Sequence, residues 1–264
     1  MIPTYDIFLA CAPKDFNKLP YVVQSIVDNV EGYDNIIICS PVDIPVNIQM
    51  KIPAMYYLYF DNMVLPEFDR DNWPFRTNWS FQQHLKLFQQ VTQDWYATID
   101  CDTFFNRKFK FFEGNKPIYW KGLDQFFPPY FKHMKQMIGL DKIPGSSSYV
   151  ADMNFIYRPI IEEMLDKNNY TVKSFIEKSM SISCDDCCIG EPELYGTYVH
   201  VCHPDMYIDK KLKQKPYGGK IQENINELKW DENEIKQIIE KTKNIDADVL
   251  SIHSWLKESN KNEN

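Results

Sequence analysis

The sequence predicts an α/β fold built on a parallel sheet, and three observations predict it. Residues 5–12 (YDIFLACA) and 35–40 (NIIICS) are largely apolar runs of strand length, the pattern of strands buried on both faces. Between them lies an amphipathic stretch, Tyr21–Val27, so the opening reads β-α-β, a unit that joins parallel strands by a right-handed crossover. The stretch Asp94–Phe105 (DWYATIDCDTFF) then carries a further apolar strand ending in two carboxylates one residue apart. In open α/β sheets, ligands bind at that edge, outside the C-terminal ends of the strands.

Each element follows in order. Asp15 is placed to cap the first helix, with Pro20 in its first turn. Pro41 closes the second strand. Ala54–Phe60 (AMYYLYF) reads as a third strand, ended by Asp61 and Asn62, and a polar loop with Pro66, Pro74 and two arginines follows. Within Asn78–Phe88, Phe81, Leu85 and Phe88 recur at helical spacing, so this helix delivers the chain to the strand of the carboxylate pair. Pro117–Trp120 is a short strand, and 147–157 (SSYVADMNFIY) another. Pro159–Leu165 is a helix with proline in its first turn. Glu191–Gly196 opens a short helix, and a charged helix near 232–243 precedes a last apolar strand, Val249–His253. With no internal repeat and no Gly/Ser-rich linker, residues 1–257 read as one domain, and 258–264 as a disordered polar tail.

At 264 residues the chain can bury a full core. Its net charge of −8 argues against nucleic-acid backbones as the partner. A phosphorylated ligand would therefore need a divalent cation or a few placed cationic side chains. Aromatic residues make up 15%; such side chains build cores and also stack sugars or bases. The N-terminal apolar run has no basic residues before it, and no run reaches the length of a bilayer span, so neither a signal peptide nor an integral membrane segment is expected. Seven cysteines, an odd count, point to a reducing, cytoplasmic setting. Cys184–Cys188 contains a CxxC spacing, but only Cys202 and His203 are at hand to complete four zinc ligands, so local thiols are expected.

Three Asp-x-Asp triplets occur: Asp69/Asp71, Asp100/Asp102 and Asp246/Asp248. About two would arise by chance in so acidic a chain, so context decides. The first lies in a Pro-rich loop and the third follows a charged helix. Only the second ends an apolar strand beside aromatics. Two carboxylates there repel one another unless a cation compensates, and Mg²⁺ or Mn²⁺, hard and oxygen-seeking, is the natural one. A haloacid-dehalogenase type of phosphatase would need Thr or Val where Phe104 stands, and its motif lies on the first strand, which disfavours that chemistry.

Three segments together resemble a GT-A fold glycosyltransferase: Gln82–Leu87 (QQHLKL), Tyr96–Phe105 (YATIDCDTFF) and Glu191–Tyr198 (EPELYGTY). The order of a Gln-Gln-x-x-Lys helix, a DxD strand end and a Glu-x-Glu-Leu-Tyr-Gly segment is similar to a group of such transferases in bacteria and large DNA viruses. The resemblance spans about residues 5–255. It implies a mixed, mainly parallel central sheet flanked by helices, and transfer of a hexosyl or deoxyhexosyl group from a nucleotide-sugar to a glycan or glycoconjugate acceptor. It implies further that Asp102 holds Mn²⁺ or Mg²⁺, that Asp100 joins it or contacts ribose or sugar, and that His253 completes the shell, with His200 and His203 as competitors. Glu191 or Glu193 is then the general base or a sugar-hydroxyl partner, the alternative being first-turn glutamates favoured by the helix dipole. Gln82, Asp152 and Asn154 are candidate donor-sugar contacts, although the group often carries histidine near Asp152. Lys86 reaches a phosphate or snorkels at the surface. The basic run 210–220 is a candidate flexible loop over the diphosphate, and Ala10–Lys14 meets the nucleotide base. The alternatives are a non-catalytic carbohydrate-binding protein on the same fold and a metal-dependent phosphatase or nucleotidyltransferase.

Overall fold

The computed structural model describes residues 3–72, 77–122, 126–146, 148–182, 189–218 and 231–253. The predicted β-α-β opening is present. Strand β1 (Tyr5–Ala10) is buried along its length, and α1 (Leu19–Asn29) crosses from it to β2 (Tyr33–Ser40). Asp15 does not cap that helix. It belongs to a separate 3₁₀ turn, Pro13–Asp15, and its carboxylate takes the Lys18 ammonium at 2.8 Å, a buried cation being the stronger claim on it. Strand β3 (Tyr57–Phe60) is shorter than the predicted run and forms one edge of the sheet.

Helix α2 (Thr77–Phe88) leads into β4 (Trp95–Asp100), and β5 (Thr103–Phe105) follows after a two-residue turn. Next come α3 (Pro128–Ile138), β6 (Met153–Tyr157), α4 (Arg158–Lys167), α5 (Val172–Ser181) and α6 (Glu191–Cys202). Strand β7 (Gln214–Gly218), α7 (Glu232–Thr242) and β8 (Val249–His253) complete the chain's described part. Helices α3 and α5 add to the elements expected from the sequence, and each carries a start signal: Pro128 in the first turn, and a Thr171/Ser174 capping box.

The central sheet has the order β6-β4-β1-β2-β3, with β6 antiparallel and the others parallel. This is the mixed, mainly parallel α/β architecture expected. A smaller sheet, β7-β8-β5, continues from the end of β4. The aromatic residues largely build the core. Tyr5 meets Phe111, Phe112 and Phe155 at centroid distances of 5.6, 6.1 and 5.2 Å, and Trp95 stacks on Tyr157 at 4.5 Å. No helix among the described residues is long and apolar enough to cross a membrane.

A buried polar chain ties three helices together beside the sheet. The Ser80 carbonyl accepts from His84 Nδ1 at 2.7 Å, which leaves His84 Nε2 to accept the Ser179 hydroxyl at 2.9 Å. The Ser179 oxygen then accepts from His133 Nε2 at 2.9 Å. Burial, first of all, pushes both imidazoles down, His84 to about 4 and His133 to about 3, so both are neutral in the fold. Unfolded histidine protonates near pH 6.5, so below that value the unfolded chain binds protons that the fold refuses, and stability falls. Each histidine removes about 1.4 kcal/mol per pH unit over this window. Urea titrations of wild type and His133→Gln should show the wild type's advantage shrinking at about that rate from pH 6 toward pH 4. A difference that stays flat over the range would refute it.

Candidate active site

The C-terminal edge of the parallel sheet gathers the predicted polar residues, and strand register explains how. Asp100 is the last residue of β4, paired with Ala10 of β1. On its other side Asp100 N–H donates to the Asp152 carbonyl at 2.9 Å, just before β6 begins. Asp102 lies in the turn between β4 and β5. Because β8 runs antiparallel to β5 with Ser251 opposite Thr103, Ile252 N–H reaches the Asp102 carbonyl at 2.8 Å, and His253 arrives beside the carboxylate pair.

His253 stands between two carboxylates. Its Nδ1 lies 3.3 Å from Asp102 Oδ2 and its Nε2 lies 3.4 Å from Asp152 Oδ2. Burial alone would push Asp102 up, but the His253 hydrogen bond and the Lys18 charge outweigh it and hold the carboxyl below its usual range. Burial would likewise lower His253, and here Asp102 and Asp152 outweigh it and raise the imidazole. Asp152 is pushed up to about 7 by burial, with the Asp100 and Asp102 charges adding to it and His253 opposing. Lys18, buried, holds β8 in place by donating to the Ile252 carbonyl at 2.9 Å.

A second cluster sits on the other side of Asp100. Lys86 Nζ is 2.6 Å from Asp100 Oδ1 and 3.1 Å from Glu191 Oε1. Lys86 is buried, so the snorkelling alternative fails. Burial by itself would lower its pKa, but the Asp100 and Glu191 charges more than reverse that and keep it cationic. Gln82 is half-buried four residues earlier on the same helix.

Helix α6 brings in the two glutamates, and it can do so because it is packed nearly all round. Residues 191–199 are all buried. Close approach requires glycine twice: a Cβ on Gly190 would fall 2.8 Å from the Tyr130 ring, and one on Gly196 would fall 2.4 Å from the Tyr149 ring. Both glutamates are first-turn residues of α6, and both are buried. Their surroundings differ. Glu191 belongs to the Lys86–Asp100 cluster, whereas Glu193 Oε1 accepts from the Ser148 hydroxyl at 2.6 Å and from Tyr149 N–H at 3.0 Å. Burial raises both carboxyls, against Lys86 for Glu191 and against the Ser148 bond for Glu193. Oε2 of each is buried with no hydrogen-bond partner among the described residues, as is Asn154 Nδ2 on β6.

Other candidates lie elsewhere. His200 bonds the Gly196 carbonyl at 2.6 Å and Asp209 at 2.7 Å, and His203 faces Glu163 at 3.1 Å, so neither reaches the carboxylate pair. The described part of the 210–220 run is not a flexible loop. Ile208–Lys211 pairs with Lys116–Lys121, and β7 pairs with β8, because strand partners and the Lys210–Glu113 and Lys213–Asp246 ion pairs satisfy it. Lys14, exposed, adds its charge near Asp102. The Cys184–Cys188 cluster and the tail lie outside the described residues, and Cys202 is a free thiol.

The donor set suits a divalent cation in part. Ligands at right angles around Mg²⁺ stand about 3 Å apart, and Asp102 Oδ2 and His253 Nδ1 are 3.3 Å apart. No group of three or more His, Cys, Asp or Glu among the described residues makes a complete cage. Two protein ligands with the rest of the shell from phosphate oxygens and water is the usual Mg²⁺ arrangement at phosphate-transfer sites.

No family model matches this chain, and no curated protein matches it. Among solved structures it is similar to the bifunctional glycosyltransferase WbbM, with a TM-score of 0.51 at 9% identity, over 97% of this chain and 46% of WbbM. Mouse xyloside xylosyltransferase 1 aligns with a TM-score of 0.45 at 9% identity over 94% of this chain and 97% of its own. The galactosyltransferase LgtC, solved with donor and acceptor sugar analogues, aligns at 0.44 and 10% identity over 96% and 88%. The chain spans less than half the length of WbbM. At such identity the likeness defines a shared fold, that of a GT-A glycosyltransferase, and the fold class expected from the sequence is borne out.

Proposed function

We propose that the chain transfers a hexosyl or deoxyhexosyl group from a nucleotide-sugar to a hydroxyl of a glycan or glycoconjugate, with Mn²⁺ or Mg²⁺ as cofactor. The observation that carries this reading is the delivery of His253 to within 3.3 Å of Asp102 at the C-terminal edge of the parallel sheet. When bound, the cation neutralises the charge that develops on the departing nucleoside diphosphate.

The chain's own residues divide the remaining work. Asp102 and His253 hold the cation. Asp100, restrained by Lys86, accepts hydrogen bonds from donor hydroxyls, with Gln82 and Asn154 adding polar contacts. Glu191, made more basic by burial and with no hydrogen-bond partner for Oε2 among the described residues, takes the proton of the acceptor hydroxyl. Glu193 braces the 148–150 turn that leads to Asp152.

A thermal-shift screen of nucleoside diphosphates with and without Mn²⁺ tests the reading. One nucleotide at about 100 times its Kd should add roughly 2.7 kcal/mol, or on the order of 5–10 °C in Tm for a chain of this size. The shift should require Mn²⁺ and vanish in Asp102→Ala. Failure of every nucleotide, with and without metal, would sink the proposal.

A further inference from the structure

Asp152 is a candidate sugar contact by sequence, and one of its carboxylate oxygens is already engaged. Oδ2 accepts from the Ser251 hydroxyl and from the Gln214 amide, and the same oxygen lies 3.4 Å from His253 Nε2. Ser251 and His253 are two apart on β8 and so project from one face. Gln214 comes from β7, the strand beside it. Asp152 itself is fixed by the backbone bond from Asp100. Three elements thus hold one carboxylate oxygen against the far side of the imidazole. By contrast, Asp102 Oδ2 meets only His253 Nδ1 among its described hydrogen bonds.

We infer that Asp152 is a positioning residue for the cation site, accepting Nε2–H of His253 so that Nδ1, its proton released to solvent when the cation binds, presents its lone pair toward an ion shared with Asp102. This rests on the cation site proposed above. Which ring nitrogen of a histidine takes a metal is set by the hydrogen bond that the other nitrogen makes, and a carboxylate behind a ligating imidazole both orients it and raises its basicity. The two oxygens are not interchangeable here. Asp152 Oδ2 already accepts from Ser251 and Gln214 and lies 3.4 Å from Nε2, whereas Asp102 Oδ2 has only the His253 Nδ1 contact among its described hydrogen bonds, which places the ion on the Asp102 side of the ring.

The test is Mn²⁺ binding to the metal-free protein without any nucleotide, read from the electron paramagnetic resonance signal of free hydrated Mn²⁺. Wild type, Asp152→Asn, Asp152→Ala and Asp102→Ala are compared, and each is also melted in EDTA. Loss of such an outer partner weakens metal binding by about 10–100-fold. Asp152→Ala should show that loss, Asp152→Asn a smaller one because its carbonyl still accepts, and Asp102→Ala the largest. A purely structural role would lower the EDTA melt and leave the Mn²⁺ affinity of the folded variants unchanged. Affinities within threefold of a wild type that does bind would overturn the inference alone. Loss in Asp152→Asn as complete as in Asp102→Ala would make Asp152 a direct ligand, and equally overturn it. A wild type that retains no Mn²⁺ would overturn the cation site together with the inference. Should Asp152→Ala not fold, the isosteric Asp152→Asn decides.

Discussion

Lys86→Met should destabilise the protein by about 3–5 kcal/mol, the usual cost of removing one partner from a buried ion pair. The reason is the state of what remains. Lys86 is the cation between Asp100 at 2.6 Å and Glu191 at 3.1 Å, and its own side chain is almost wholly inaccessible. Methionine fills similar volume, so the loss reflects uncompensated carboxylates and not a cavity. In a thermal melt this corresponds to a fall on the order of 10 °C. Removing the stranded charges as well, in Lys86→Met with Asp100→Asn and Glu191→Gln, should recover most of the loss, since coupled neighbours are not additive. A single-variant loss below about 1 kcal/mol would show that the cluster is solvated like a surface pair.

Glu191→Gln should lower kcat/KM for sugar transfer by about 10²–10⁴-fold, the contribution of a positioned general base, equivalent to about 3–5 kcal/mol of barrier. Glu193→Gln should leave kcat within a few-fold. The two differ by one residue between them in sequence, but α6 turns them to different neighbours. Glu191 shares Lys86 with Asp100, at the strand end, while Glu193 is committed to the Ser148 hydroxyl and Tyr149 N–H. Glutamine at 193 keeps a carbonyl for those donors, so the change should appear as roughly 1 kcal/mol of stability. The assignment is checked by steady-state kinetics on both variants once a donor is found. Equal losses of kcat, or the larger loss in Glu193→Gln, would reverse the roles.

The local elements of this fold were legible because short-range patterns dictate them. Apolar runs of strand length marked β1, β2, β4 and β8, and helical spacing of Phe81, Leu85 and Phe88 marked α2. The expectation failed where a residue had a choice of partner. Asp15 had a capping signal, but Lys18 took it. The lysine-rich run after Ile208 read as a loop, yet its backbone found strands to pair with.

The site divides in the same way. By itself the sequence determined that a carboxylate pair ends an apolar strand, that a lysine-bearing helix precedes it and that two glutamates open a later helix, since each is a matter of neighbours along the chain. Only the tertiary structure decided that Lys86 is buried against Glu191, 105 residues away, and that His253 meets Asp102 across 151 residues. It alone also turned Glu193 toward Ser148, and Asp152 toward the back of the imidazole. Those pairings depend on strand register and helix packing. Register is set by which faces are buried across the whole sheet, a condition that no single stretch of sequence contains.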